Sequence, residues 1–148
     1  MKYFKLFLIS IIAFGLGLFG ISLLFPSNTF VSRAANVFGP KDSLQPNLPV
    51  YFENAFDDGQ QQKTIEVKPF LPNADTLLFH VKNQEQVQGG IAVYDMGKDS
   101  STIQVFYKIN VPWYSPLQKF GLMLNEEKYG PSLDTALRRI TTAVQLAN

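Results

Sequence analysis

Hydrophobic positions follow three different patterns along the chain, and each predicts a different kind of element. Residues 6–25 (LFLISIIAFGLGLFGISLLF) form an uncharged apolar run in which only Ser10 and Ser22 are polar. At 1.5 Å per helical residue, roughly 20 residues cover the ~30 Å hydrocarbon core of a bilayer. The run is apolar on every face, which argues against a surface helix of a soluble domain. Lys2 and Lys5 flank its start, and Pro26, Ser27 and Asn28 close it. A secretory signal core is usually ~7–15 residues long and ends at a small-x-small site. A cut after Ala35 would put Arg33 where a small residue is needed, and with no cysteine in the chain a lipoprotein-type anchor is excluded. The expectation is a retained membrane anchor at residues 1–28, followed by one domain at residues 29–148.

From residue 30 the pattern changes to short, alternating segments. Residues 30–38 (FVSRAANVF) read as a first strand, with Val31, Ala35 and Val37 on one side and Arg33 interrupting them. Gly39 and Pro40 end it, and Pro46 and Pro49 make the following stretch loop-like. Residues 50–56 suggest a short strand, with a turn at 57–59. A meander of strands follows at 63–68, 75–82, 87–96 and 101–110, joined by polar turns such as the proline-rich one at 69–73. Ile65 and Val67 share one face of the first of these, and Gly89–Gly90 suggests a bulge or bend in the third.

The third pattern is helical. Residues 117–128 can form one helix with Leu117, Phe120 and Leu124 along a face. Pro131 then suits the first position of a last helix. Leu133, Leu137, Ile140, Val144 and Ala147 recur there at four-and-three spacing, the stripe of a helix laid on a sheet. The predicted class is α+β: an N-terminal transmembrane helix, then a curved antiparallel sheet packed on a long C-terminal helix.

Charge orients this arrangement. Lys2, Lys5 and the amino terminus precede the apolar run, whereas Arg33 is the first basic residue after it. By the excess of Lys and Arg on cytoplasmic flanks, the domain is expected on the extracytoplasmic side, periplasmic or at the cell surface, on a single-pass anchor. With 13 basic and 12 acidic residues the net charge is +1, and the basic residues are scattered. That excludes a nucleic-acid surface, which needs a clustered basic stripe.

Candidate chemistry is sparse. His80 is the sole histidine and there is no cysteine, so no metal-ligand set and no cofactor site are expected. Asp57–Asp58 and Glu126–Glu127 are sequence neighbours, whose side chains diverge; they read as a turn and a solvated helix face. Ser100, Ser101 and Ser115 lack the base and orienting acid that a nucleophile requires. Gly89–Gly90 lacks the helix and lysine of a phosphate loop. No residue set supports an enzyme.

Two segments resemble a known family. The opening FPSNTFVSRAANVFGPKD and the close KINVPWYSPLQKFGLMLNEEKYGPSLDTALRRITTAV are similar to bacterial START-like (SRPBCC) proteins of the polyketide cyclase/dehydrase and lipid-transport branch. The resemblance implies a helix-grip fold holding a hydrophobic small molecule or lipid in an apolar cavity between sheet and last helix. Two short helices normally follow the first strand there. The stretch between Pro40 and Val50 is short and proline-broken, so these helices are expected to be lacking. Tyr94, Phe106, Tyr107, Trp113, Leu133, Leu137 and Ile140 are the candidate cavity residues; equally, they can simply fill the core. Trp113 and Tyr114 have a third role open to them, at a membrane interface. Two function classes stand: a membrane-tethered binding module for a hydrophobic ligand, and a structural or interaction domain without a pocket, whose protein partner the sequence does not name.

Overall fold

The computed structural model describes residues 2–56, 65–67, 75–82 and 84–147. The apolar run forms α1 (Lys2–Ser22), long and apolar enough to cross a membrane and exposed on all sides over most of its length. The alternating segments form β1 (Asn28–Phe38), β2 (Ile65–Val67), β3 (Thr76–Val81), β4 (Val87–Gly97) and β5 (Ser100–Asn110). These strands make one antiparallel sheet in the order β1-β5-β4-β3-β2. The last strand therefore lies inside the sheet, between β1 and β4, and the first lies at an edge. β5 shows the period-two rule most clearly: Ser101, Ile103, Val105, Tyr107 and Ile109 are buried, while the residues between them are not. The hydroxyl of buried Ser101 is satisfied by donating to the Gly39 carbonyl at 2.8 Å.

The inner face of the sheet is covered by α5 (Asn125–Ala147) and α3 (Leu48–Phe56). On α5 the buried stripe is Leu133, Ala136, Ile140 and Val144, each at 2 % exposure or less. Leu137 and Ala143 flank that stripe, half-buried. The expected stripe was therefore rotated: its axis passes through Ala136, and Leu137 marks its edge. Arg138 points to solvent, as expected.

Several expectations fail for identifiable reasons. Residues 50–56 are helix rather than strand, and the short helices after β1 are present: α2 (Lys41–Leu44), a 3-10 turn (Gln45–Asn47) and α3. Pro46 and Pro49 do not break them, because each stands in the first turn of its helix, where an N–H has no partner to lose. Leu48, Tyr51, Phe52, Ala55 and Phe56 are all buried, at helical spacing. The region 117–128 is likewise two helices, α4 (Pro116–Leu122) and the start of α5; Leu117 and Leu124 are exposed. Pro131 lies inside α5 instead of opening it. The turn around it is held from outside. The Arg33 guanidinium bonds Glu126 on one side of that proline and Asp134, at 2.8 Å, on the other. Gly130 gives the guanidinium room, since a Cβ there would meet Arg33 Nη2 at 3.0 Å. The residue that spoils the alternation of β1 is thus what clamps α5 to it.

Finally, Gly89–Gly90 is no bulge; the register shift falls between Asp95 and Gly97, where Gly97 takes a φ of 137°. The expected turns at 57–59 and 69–73 lie outside the described residues, as do the side chains of Ile65, Val67 and Ala147, expected on apolar faces.

Removing the Ile140 side chain should leave a cavity between α5 and the sheet. Ile140→Ala is expected to cost about 2–5 kcal/mol in urea unfolding of the full chain in detergent. Arg138→Ala should stay within about 0.5 kcal/mol. Leu137→Ala should fall between the two; a Leu137 variant as damaging as the Ile140 one would contradict the stripe seen here.

A candidate ligand cleft beside the anchor helix

The space between sheet and α5, where a ligand cavity was expected, is occupied by rings. Phe79 of β3 is at its centre, with centroid separations of 5.0 Å to Phe52, 5.2 Å to Phe56 and 5.8 Å to Tyr107. Tyr107 continues the chain of contacts to Tyr129 at 5.2 Å. Gly89 makes this packing possible. It pairs with Phe79 across β3–β4, and a Cβ on it would overlap the Phe79 ring. Gly90 does the same for Phe106 on the outer face. Cross-strand burial of a ring over glycine, rather than a bend, explains the pair.

The candidate cavity residues accordingly scatter. Tyr107, Leu133 and Ile140 are core. Leu137 is at the edge of the helix stripe. Phe106 packs on Phe30 outside the sheet at 5.1 Å, and Tyr94, on that same outer face, is exposed. Trp113 is exposed in the loop after β5, against Tyr114 at 5.9 Å. Burial holds the Tyr107 hydroxyl above the usual tyrosine range, and a hydrogen bond with Ser132 pulls it part of the way back.

An opening remains at one end of the grip. A cleft of about 870 Å³ lies between the β3–β4 turn, the end of β5, α4 and the first turn of α5. Val87, Ile109, Val111 and Leu122 give it an apolar floor; Gln84, Gln86, Gln118 and Lys128 give it a polar rim. Tyr129 and Gln84 span it, with the phenol oxygen 3.2 Å from Gln84 Oε1. Asn125, on its wall, is 7 % exposed, and its amide Nδ2 has no hydrogen-bond partner.

The α4 wall of the cleft is fastened to the anchor. Lys119, 3 % exposed, donates from Nζ to the carbonyls of Ser22 at 3.2 Å and Phe25 at 3.3 Å. Phe120 meets Phe25 edge-on at 5.3 Å. The α4 wall of the cleft therefore lies beside the end of α1.

No protein-family profile and no curated protein matches the sequence. Solved structures do match the fold. The di-domain ARO/CYC BexL from the BE-7585A biosynthetic pathway aligns with a TM-score of 0.56 and 13 % identity, over 80 % of this chain and 47 % of BexL. XoxI from Bacillus cereus aligns with a TM-score of 0.51 and 10 % identity, over 79 % of this chain and 96 % of its own. The fold is START-like. A START superfamily protein from Mycobacterium smegmatis also aligns, with a TM-score of 0.47 and 14 % identity, over 80 % of this chain and 99 % of that one. At such identities the likeness concerns the START-like architecture alone. Sequence reasoning missed the cleft because its walls come from chain ends and turns. One signal was available: Lys119 is the sole charge among residues 112–124, and a lone lysine between Leu117 and Phe120 calls for a partner.

Gly89→Ala should force the Phe79 ring out of place. It is expected to cost about 1–3 kcal/mol of stability, as overpacking does, in the same urea assay. Gly121→Ala, where a Cβ meets open space, should cost nothing measurable; equal losses at both positions would mean that the ring does not lie over Gly89.

Proposed function

We propose that this chain is a membrane-tethered START-like domain that binds a hydrophobic small molecule or lipid, without catalysis, in the cleft between the β3–β4 turn and the α4–α5 corner. The observation that carries this reading is the cleft itself, about 870 Å³ with an apolar floor and a polar rim, beside the end of α1. Its volume falls within the ~300–1,000 Å³ of ordinary small-molecule sites. An amphiphile suits it: chain against Val87, Ile109 and Leu122, and an oxygen-bearing head toward Lys128 and the glutamines of the rim. The expected enclosed pocket between sheet and α5 plays no part in this reading, since Phe79 and its neighbours fill it. That filled interior favours the second reading, an interaction domain that keeps the grip without a pocket.

The two readings separate in a binding titration. The full chain in nanodiscs is expected to bind a fluorescent fatty acid saturably. Leu122→Trp, which fills the floor, should weaken binding at least about tenfold, equivalent to ~1.4 kcal/mol. Tyr94→Ala, on the outer face, should leave it unchanged. Absence of saturable binding by the folded chain, across several lipid and aromatic probes, favours the interaction domain.

The tether is proposed on the 20-residue apolar span Tyr3–Ser22, and the extracytoplasmic side on Lys2 and Lys5 preceding it. The chain should stay in the membrane pellet after alkaline carbonate washing, and a reporter fused at the C-terminus should signal outside the cytoplasm. A soluble product beginning near Asn36 would replace the tether with a cleaved leader.

A further inference from the structure

The segment 112–124 (PWYSPLQKFGLML) carries five large apolar or aromatic residues that the fold does not use. Trp113, Tyr114, Leu117, Met123 and Leu124 are all more than 60 % exposed, and Leu117 reaches 80 %. Leu23 and Leu24, at the end of the anchor, are also exposed. A stretch this apolar on a small domain marks a surface that meets something other than water.

We propose that residues 112–124 lie in the interfacial layer of the same bilayer that α1 spans, with Trp113, Tyr114 and Leu117 inserted among the lipid headgroups. Depth is the first argument, and it rests on the tether reading. If the 20-residue span Tyr3–Ser22 crosses the hydrocarbon core, at 1.5 Å per residue it covers about 30 Å and Ser22 lies at the edge of that core. Lys119 bonds the Ser22 carbonyl and Phe120 packs on Phe25, so α4 is fixed at that same level. Lipid already surrounds α1 there, which leaves little room for a protein partner to reach the segment first.

Charge is the second argument. Lys119 is the one charged side chain in the segment, and it is buried against the anchor carbonyls. The outward surface is neutral. It therefore suits zwitterionic as well as anionic lipid, and its attachment should be insensitive to salt. Residue type is the third. Trp and Tyr concentrate at membrane interfaces, where an apolar ring and a polar N–H or O–H each find their own environment. In this arrangement Gln118, Gly121 and Leu122, which wall the cleft, are held against the lipid surface. A lipid ligand would then pass between bilayer and cleft without crossing water.

Trp113 is the only tryptophan, so intrinsic fluorescence reports this site alone. The full chain is reconstituted in phosphatidylcholine vesicles with quenchers present on both sides of the membrane. Emission is expected to be blue-shifted, quenched strongly by lipids brominated near the headgroup end of the acyl chain, and only weakly by iodide. Raising salt from about 0.1 to about 1 M should not change this. Leu117→Glu, at an exposed site, should at least halve the lipid quenching while leaving the circular dichroism spectrum unchanged. Red-shifted emission with iodide quenching close to that of free tryptophan, in a chain that resists carbonate extraction, would overturn the docking and leave the tether intact. Loss of the chain to the carbonate wash would overturn both. Lipid quenching of Trp113 in a chain that binds no fatty acid would uphold the docking and count against the cleft ligand.

Discussion

The end of α1 has to be reconciled with the start of a water-soluble domain, and one buried lysine does most of this. A helix leaves its last carbonyls without in-helix donors, and those oxygens carry the negative end of the helix dipole. In α1 the last turn tightens, with Leu24 N donating to Ile21 at 3.0 Å and Phe25 N to Ser22 at 3.2 Å. The Phe25 carbonyl lies beyond that pattern, and Lys119 reaches both it and the Ser22 carbonyl. The ammonium is nearly excluded from water, so these bonds offset a large desolvation cost and cannot be lost cheaply. Because Lys119 belongs to α4, the position of α4 follows from the end of the anchor. The adjacent wall of the cleft follows from α4.

Volume is the second constraint. A START-like grip can leave its interior open or fill it, and here the sheet and helices contribute Phe52, Phe56, Phe79, Tyr107 and Tyr129 to one chain of ring contacts. Interiors pack close to crystal density, and these rings occupy the space between β3, β5 and α5. Gly89 shows how tightly the space is used, since its missing Cβ is what admits Phe79. The remaining opening is displaced to the end of the sheet, where α5 has begun but β4 and β5 have run out.

Much of this fold was legible in the sequence, for two physical reasons. The 6–25 run and the α5 stripe are long enough for their periodicity to dominate any local exception, and β5 alternates over eleven residues. The short helices after β1 were not legible. In α3, the pattern Leu48, Tyr51, Phe52, Ala55, Phe56 is helical, but Pro46 and Pro49 hid it because a proline's effect depends on its position within a turn. Arg33 looked like a defect in a strand because its partners, Glu126 and Asp134, lie about a hundred residues away in sequence. The site was illegible for a related reason. The residues chosen as cavity lining were those with the largest rings, and large rings near the centre of a domain are what fill it.

A cleft can be a packing defect or a preformed site, and the way its walls are held distinguishes the two. A defect lined by loosely held groups collapses as neighbours relax into it. Here each wall is bonded to a neighbouring element, and Tyr129 of α5 also bonds Gln84 across the cleft. α4 is held to the anchor through Lys119, and the first turns of α5 are held to β1 through Arg33. The β3–β4 turn is held to the end of β5 by Asn110 N donating to the Gln86 carbonyl at 2.9 Å, and that end is held to the exit of α1 by Val111 N donating to Ser27 at 2.8 Å. The floor residues Val87, Ile109 and Val111 are fixed by the sheet itself. A ligand entering the cleft therefore meets walls that bonds to neighbouring elements have already placed, which lowers the cost of ordering them on binding.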